Sequence, residues 1–289
     1  MVKTPFPRTA SMSSRPRSTQ RGIQSIDVGM RLLAVLAEAS EALALKDLAA
    51  RAGMSPAKAH AYLVSFARAG LVEQDRASGR YDLGPQALRL GLASLSRLDP
   101  VRLAIETLPT LAERTGHSVA VAVWGNHGPT IVHFAQSARP IHVNMRTGTV
   151  MSMTETATGI VLTAHRSKAD IEAVLAALWP SARERAQVRA RIEALAPVYE
   201  AARRRGLARA QGHPVPGVHA FSAPVFDHTG EAVLALTVLG PAAEFDVRWK
   251  SAIARELQQT AAALSRRIGS SAGKGPTNLG RANEILSNA

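Results

Sequence analysis

Residues 44–84 carry the pattern that most constrains the fold of this chain. A helix predicted over 45–52 is followed by Gly53, which suits the left-handed end of a helix. Ser55 and Pro56 then fit the N-cap and the first position of a second helix. Two helices joined by so short a turn predict a helix-turn-helix.

The second predicted helix has two faces of different character. Its apolar side is expected to pack on the first helix, whereas its other side combines small residues with cations and suits insertion into a DNA major groove. The apolar set is Ala59, Tyr62, Leu63 and Phe66, and the opposite set is Ala57, Lys58, Ala61, Ser65 and Arg68.

Two short strands are predicted after this helix. Residues 71–74 and 80–83 flank a turn that has Gly79 near its end, which is typical of a β-hairpin. Such a hairpin would place Arg76 and Arg80 beside the same groove, so the order of elements predicts a winged helix-turn-helix. The alternative is a helical subdomain in which turn and hairpin serve packing alone.

Composition sets the wider limits. With 289 residues, 46% of them apolar, the chain predicts two folded domains with tails. The net charge is +13, and residues 1–22 hold five Lys or Arg and no Asp or Glu, so we expect a disordered basic arm over 1–21 that attracts phosphates.

Several functional classes are excluded or disfavoured. The chain has no cysteine, which excludes disulfides, zinc fingers and thiol catalysis. No apolar stretch reaches the length of a membrane span, and the N-terminus lacks the apolar region of a secretory signal. We therefore expect a cytoplasmic protein without a membrane partner.

The remaining elements outline the domains. A helix over 23–38, with Ile26, Met30, Leu33 and Leu36 as its expected buried positions, completes a first domain at 22–84. A linker helix over 85–98 carries a leucine stripe that would pair with a second copy or pack on a domain. The stripe consists of Leu88, Leu92 and Leu95.

From residue 99 to 268 the pattern is mixed. Hairpin-connected strands with helices grouped between them predict an α+β layer structure with an antiparallel sheet. The expected strands lie near 119–123, 131–135, 141–145, 218–226 and 232–239, and the expected helices at 101–115, 156–165, 168–178, 183–205 and 246–268. Residues 269–289, rich in Gly, Ser and Asn, are expected to be disordered.

Four stretches resemble the IclR family of bacterial transcriptional regulators, and the resemblance covers about residues 22–268. They are GIQSIDVGMRLLAVL, GMSPAKAHAYLVSFARAGLVEQDRASGRYDLG, RTGTVMSMTETATGIVLTAH and PGVHAFSAPVFDHTGEAVLALTVLGP. The resemblance implies a winged helix-turn-helix joined by a linker helix to a GAF-like α/β effector-binding domain. It also implies a homodimer or tetramer on near-palindromic double-stranded operator DNA, a small-molecule effector, and neither enzymatic activity nor a cofactor.

The candidate DNA-contacting residues lie on the first helix, the second helix of the pair and the wing. Where the family commonly has Arg, this chain has Ala61, which removes a bidentate guanine contact that is worth about 1–3 kcal/mol. The full set is Gln24, Ser25, Ser55, Ala57, Lys58, His60, Ala61, Tyr62, Arg68, Arg76 and Arg80.

The resemblance places an effector pocket around residues 146–159 and the two late strands. Methionines line adaptable apolar cavities, and a helix that begins near Thr156 directs free N–H groups at an anionic ligand such as a carboxylate. The alternative is that the methionines are ordinary core and Thr156 a plain helix cap. The candidate residues are Met151, Met153, Thr154, Glu155, Thr156, Ala157, His213, His219, Ala220, Ser222, Thr237 and Leu239.

A ligand-responsive regulator is the favoured hypothesis, and three rivals stay open. One is a small-molecule sensor whose winged module contacts protein, and another is an architectural DNA-binding protein, which leaves the second domain without a role. The third is an enzyme built on Ser222, His219 and Glu155, for which the sequence has no Gly-x-Ser-x-Gly elbow. His213 and His219 lack the spacing of a metal site, so no metal is expected.

Overall fold

The computed structural model describes residues 22–137 and 145–270. The chain divides into two units, Met1–Arg97 and Leu98–Ala289. The described part of the first unit consists of helices α1 (Gln24–Glu38), α2 (Leu45–Arg51), α3 (Pro56–Arg68) and α4 (Pro85–Leu95), with an antiparallel pair β1 (Val72–Gln74) and β2 (Tyr81–Leu83) between α3 and α4.

Local signals set the turn between α2 and α3 as predicted. Gly53 has a φ of +67°, and the Ser55 hydroxyl accepts a hydrogen bond from the Lys58 backbone N–H at 3.4 Å. Leu48 of α2 and Leu63 of α3 are fully buried against Leu32 of α1 in one core. The predicted winged helix-turn-helix is confirmed.

The predicted buried face of α1 was partly wrong. Leu36 is buried, but Ile26 is 58% and Met30 51% exposed. The cause is Gly29, because α3 approaches it so closely that a Cβ there would lie 2.8 Å from Cζ of Phe66. α1 therefore turns its glycine toward α3 and leaves an apolar stripe uncovered within this unit.

The described part of the second unit is a five-stranded antiparallel sheet with helices on both faces, in the strand order β4-β3-β7-β6-β5. Its strands are β3 (Ser118–Gly125), β4 (Gly128–Ala135), β5 (Ala208–Gln211), β6 (Val218–Phe226) and β7 (Ala232–Pro241). Its helices are α5 (Pro100–Thr115), α6 (Ala157–Ala164), α7 (Lys168–Leu178), α8 (Ala182–Ala194), α9 (Ala196–Arg205) and α10 (Ala252–Arg267). The predicted α+β architecture with an antiparallel sheet is confirmed.

The two faces of the sheet have different side chains. Val121, Phe221 and Leu236 point to the face covered by α5 and α10, where large apolar residues fill the core. The alternate positions, such as Ala120 and Ala235, point to α6. Because these positions are small, α6 lies close to the sheet, and all eight of its residues are buried.

Three features differ from the sequence prediction. The helix expected over 183–205 is divided at Leu195, because Pro197 cannot continue the hydrogen bonding of a helix. Strand β5 was not predicted. The last helix starts at Ala252 rather than Asp246, since Ser251 caps it by accepting the Ala254 N–H at 3.2 Å.

Three further predictions fall partly or wholly on residues outside the described ranges. The strand expected over 141–145 is one of them, and Met145, its only described residue, is not in a strand. The others are the basic arm at 1–21 and most of the tail at 269–289. Among the helices of residues 22–137 and 145–270, none combines the length and hydropathy that a membrane crossing needs.

Candidate functional site

The exposed face of α3 presents the expected set of side chains. Ala57, Lys58, His60, Ala61 and Arg68 are all exposed. The residues at the N-terminal end of such a helix are the ones that contact base edges when it enters a major groove. Lys58 lies in the first turn, so α3 places a cation where a base or phosphate would lie.

Tyr62, which is also a candidate DNA-contacting residue, lies on the apolar side of α3 as its spacing predicted. Its ring is half-buried, and a Cβ on Gly29 would lie 3.1 Å from its Cδ1. Gln24 and Ser25 are exposed in the first turn of α1. The Ser55 oxygen caps α3, which leaves its hydroxyl proton free to donate.

The turn of the wing is folded by Asp75. Its carboxylate accepts the backbone N–H of Ala77 at 3.2 Å and of Ser78 at 2.9 Å. The Ser78 hydroxyl also donates to it, and these bonds, the side-chain bond first, lower the pKa of Asp75. Arg76 is exposed at the tip, whereas the Arg80 guanidinium donates to the carbonyl oxygen of Ala42 at 2.9 Å and anchors the wing.

A cavity of about 170 Å³ lies under the N-terminus of α6. It is mainly apolar, and its walls come from α6, β5, β6, β7, the loop 212–217 and the segment 145–151. Seven of the twelve predicted residues line it, namely Met151, Thr156, Ala157, His213, Ala220, Thr237 and Leu239. The cavity is also lined by seven residues that were not predicted from the sequence, namely Met145, Thr149, Thr158, Ala210, Pro214, Val215 and Val218.

Two of the predicted cavity residues belong to the core. Met153 is 6% exposed, and its carbonyl oxygen accepts a hydrogen bond from the Tyr199 hydroxyl at 3.2 Å. Burial raises the pKa of Tyr199 to about 12, so this donor keeps its proton at physiological pH. Ser222 is fully buried beneath the cavity, where it bonds to Thr237.

His219 lies on the opposite face of the sheet from the cavity. Successive strand residues alternate in direction, and Ala220 faces the cavity. The His219 ring instead lies 6.4 Å from that of Phe245, on the side of α5 and α10. Thr154 does not line the cavity either, and its hydroxyl lies 3.4 Å from that of Ser152.

Glu155 stands beside the cavity rather than in its wall. Its carboxylate forms an ion pair with Arg191 of α8 at 2.8 Å and lies 3.8 Å from Nε2 of His213. His213 does line the cavity, so Glu155 connects the loop 212–217 to α8. With His219 and Ser222 on opposite faces and Glu155 paired to Arg191, the three residues do not form a catalytic group.

Thr156 holds the start of α6 in place. Its hydroxyl donates to the Ser152 carbonyl oxygen at 2.8 Å and accepts the Gly159 N–H at 3.0 Å. Ala157 and Thr158, the first two residues of α6, line the cavity, and the N–H groups in the first turn of a helix have no acceptor within the helix. Thr156 therefore acts as the helix cap and as a wall of the cavity at once.

A buried chain of hydroxyl groups forms part of the cavity floor. Ser222 donates to the carbonyl oxygen of Leu236 at 3.2 Å, and Thr237 donates to Ser222 at 3.0 Å. Since each hydroxyl has one proton, the 2.8 Å contact between Thr158 and Thr237 is a donation by Thr158. The Thr158 side chain therefore offers lone pairs, and no proton, to a ligand.

The described part of the chain contains no group of three or more His, Cys, Asp or Glu side chains that could hold a metal ion. The fold and the two sites define a class of protein: a transcriptional regulator that joins a winged helix-turn-helix to a separate ligand-binding unit. Comparison with known proteins gives the family.

A model of the IclR helix-turn-helix domain matches residues 25–76, and a model of the bacterial transcriptional regulator IclR C-terminal domain matches residues 92–266. The second match covers more than half of the chain. The chain therefore belongs to the IclR family of bacterial transcriptional regulators, which are DNA-binding proteins and not enzymes.

Individual relatives agree with this assignment. The chain is 30% identical to the glycerol operon regulatory protein of Streptomyces griseus over 255 residues. This alignment covers 86% of this chain and 98% of that protein. It is 34% identical to the protein of the same name from Streptomyces coelicolor over 154 residues, which cover 53% of this chain and only 61% of the relative. The crystal structure of Pseudomonas aeruginosa HmgR superposes with a TM-score of 0.76 at 35% identity and covers 86% of this chain and all of that one (100%).

Proposed function

We propose that this protein binds a near-palindromic operator through α3 and the wing, and that a small organic acid in the cavity under α6 changes its affinity for that DNA. The exposed Lys58 and Arg68 on α3, together with Arg76 at the wing tip, support the first part. The presence of Ala157 and Thr158, the first two residues of α6, in the cavity wall supports the second part. It is the single observation that carries the ligand class, because the first-turn N–H groups of a helix favour anions. As a DNA-binding regulator, it would act in the bacterial cytoplasm.

Two copies of the chain would provide the symmetry of the operator. A single helix-turn-helix reads only a few base pairs, and a dimer places two of them on half-sites one helical turn apart. The uncovered stripe of α1 and the leucines of α4, which would serve as the linker helix, supply apolar surface for pairing. Their exposed members are Ile23, Ile26, Met30, Leu88, Leu90, Leu92 and Leu95. Dimer and tetramer are both compatible with this surface.

The chemistry of the cavity specifies the effector further. A carboxylate would accept hydrogen bonds from the N–H groups of Ala157 and Thr158, with the positive end of the α6 dipole behind them. An apolar part would contact Met151 and Leu239, and a ligand hydroxyl would find an acceptor in Thr158. At about 170 Å³ the cavity suits a ligand of small size.

The DNA part is tested by a binding titration against the DNA upstream of the gene, in excess competitor, with a matched pair of variants. Lys58→Ala removes a cation from α3, and Lys168→Ala removes one from the exposed N-terminus of α7 in the second unit. We expect the first variant to weaken selective binding by about 1–3 kcal/mol, which is the usual discrimination energy of one good base pair contact. We expect the second to leave binding unchanged.

If Lys58→Ala and Lys168→Ala bind as the wild type does, α3 is not the DNA-contacting helix. The ligand part is tested separately by thermal shift with small aromatic and aliphatic acids. An acid that binds in the cavity is expected to raise the Tm of the wild type. It is expected to have no such effect on Ala220→Phe, where the added ring fills the cavity. An acid that stabilises both proteins equally would place the ligand elsewhere.

A further inference from the structure

A second cavity, of about 360 Å³, lies at the β5 edge of the sheet. We call it the edge groove. Helix α9 forms one wall with Pro197, Val198 and Ala201, and β5 forms its floor. Arg205 at the end of α9, Arg209 of β5 and Trp249 also line it, so the groove combines an apolar wall with two guanidinium groups.

The two arginines are held by an aromatic ring. Cζ of Arg205 lies 4.6 Å and Cζ of Arg209 4.3 Å from the ring centroid of Trp249, within cation–π range. Arg209 also donates to the Val247 carbonyl oxygen at 2.7 Å. Burial first, and then the charge of Arg205, lowers the pKa of Arg209. The structure thus fixes two like charges side by side.

These charges have no counterion in the part of the chain that the structure describes. No carboxylate oxygen there lies within 4.0 Å of a guanidinium nitrogen of Arg205 or Arg209. The two preceding arginines of α9 differ, because Arg203 and Arg204 both pair with Glu200, at 3.0 and 3.3 Å. A guanidinium has five N–H donors in a planar fork that matches a carboxylate, so most donors of the pair remain available.

We propose that the edge groove binds a small organic carboxylate, whose charge lies between Arg205 and Arg209 and whose apolar part covers the α9 wall. Val198 is 41% exposed on that wall, which gives the apolar part a surface to bury. A volume of about 360 Å³ falls within the range of small-molecule sites. This site is additional to the cavity under α6.

The two cavities share structural elements. Ile160 of α6 lines the edge groove, while Ala157 of the same helix lines the first cavity. On β5, Ala210 lines the first cavity, and its neighbours Arg209 and Gln211 line the edge groove. A ligand in the edge groove therefore rests on the helix and strand that form walls of the first cavity.

The test is a calorimetric titration of the full chain with phenylacetate as the acid and 2-phenylethanol as its neutral analogue. It is carried out in Ala220→Phe, which fills the first cavity, so that only the edge groove contributes. We expect saturable binding of phenylacetate and none of 2-phenylethanol. Adding Arg205→Gln and Arg209→Gln to this background is expected to weaken binding at least about tenfold, whereas adding Arg204→Gln leaves it unchanged.

A second variant tests the proposal independently, in case the double substitution prevents folding. Val198→Asp keeps both arginines and places a carboxylate on the exposed α9 wall, where it supplies a counterion and repels the probe. Circular dichroism is expected to match the parent protein, and phenylacetate binding is expected to be lost. The proposal is overturned if phenylacetate does not saturate by about 10 mM, or if the Arg205, Arg209 double variant or Val198→Asp binds it as tightly as the parent.

Discussion

Gly159 is the position at which a single added methyl group should disturb the ligand cavity most. A Cβ there would lie 1.9 Å from the Ser152 carbonyl oxygen and 2.7 Å from its carbon. Because Cβ contacts below 3.0 Å essentially do not occur, α6 must move at least about 1.1 Å away from Ser152 in Gly159→Ala. That movement breaks the Thr156 cap, whose two bonds measure 2.8 and 3.0 Å.

The expected loss of stability in Gly159→Ala follows from these two effects, the steric clash and the broken cap. Overpacking a filled core costs about 1–3 kcal/mol, and loss of an N-cap costs about 0.5–2 kcal/mol. We expect Gly159→Ala to lower the free energy of unfolding of the second unit by about 2–4 kcal/mol, or Tm by roughly 5–15 °C. Urea unfolding followed by tryptophan fluorescence measures this unit alone, because Trp124, Trp179 and Trp249 all lie within it.

Gly91→Ala is the matched control. Gly91 is exposed within α4, and a Cβ there has nothing within 4 Å. The same substitution should therefore stabilise α4 by about 0.8–1 kcal/mol, because alanine has the higher helix propensity, and leave the tryptophan transition unmoved. A Gly159→Ala protein that unfolds within about 0.5 kcal/mol of the wild type would refute the steric argument.

Three further predictions concern α3, the hydroxyl chain and a buried histidine. Ala61→Arg should strengthen DNA binding and steepen its salt dependence by about 0.9 per copy, and an unchanged slope in a salt series would contradict a phosphate contact at this position. Thr237→Val leaves the donor of Thr158 and an acceptor site of Ser222 unpaired, so we expect urea unfolding to show a free energy of unfolding lower by about 1–3 kcal/mol. An unchanged free energy would argue against the chain of hydroxyl groups. Burial, then Arg203 and Arg166, lowers the pKa of His165 from 6.5 to about 4. Between these values the unfolded chain binds a proton that the folded chain does not, so stability falls as pH falls from 6.5 to 4, by up to about 3 kcal/mol, and the fall should be smaller by that amount in His165→Phe.

Elements specified by neighbouring residues could be predicted from the sequence. The turn around Gly53, Ser55 and Pro56 is an example, because each residue there acts on its own backbone or on the next turn. Strand β5 was missed because its four residues, Ala208–Gln211, are too few to establish an alternating pattern. It takes its place by pairing with β6, an interaction that no local pattern encodes.

In the candidate site, too, some features could be predicted from the sequence and others depended on distant contacts. Alternation along β6 could have separated His219 from Ala220 and Ser222, since residues one apart in a strand face opposite ways. The direction of Glu155 could not be predicted, because its partner Arg191 is 36 residues away in sequence. The buried face of α1 depended on the close approach of α3 to Gly29, which only the packed structure reveals.

The central claim is that an acid bound under α6 controls DNA affinity, and it is tested most directly by fluorescence anisotropy. Upstream DNA is titrated with the wild type and with Ala220→Phe, each with and without an acid that stabilises the wild type. We predict that the acid changes the wild-type Kd at least about fivefold and leaves that of the variant unchanged. An equal shift in both proteins, or no shift in the wild type, would contradict the claim.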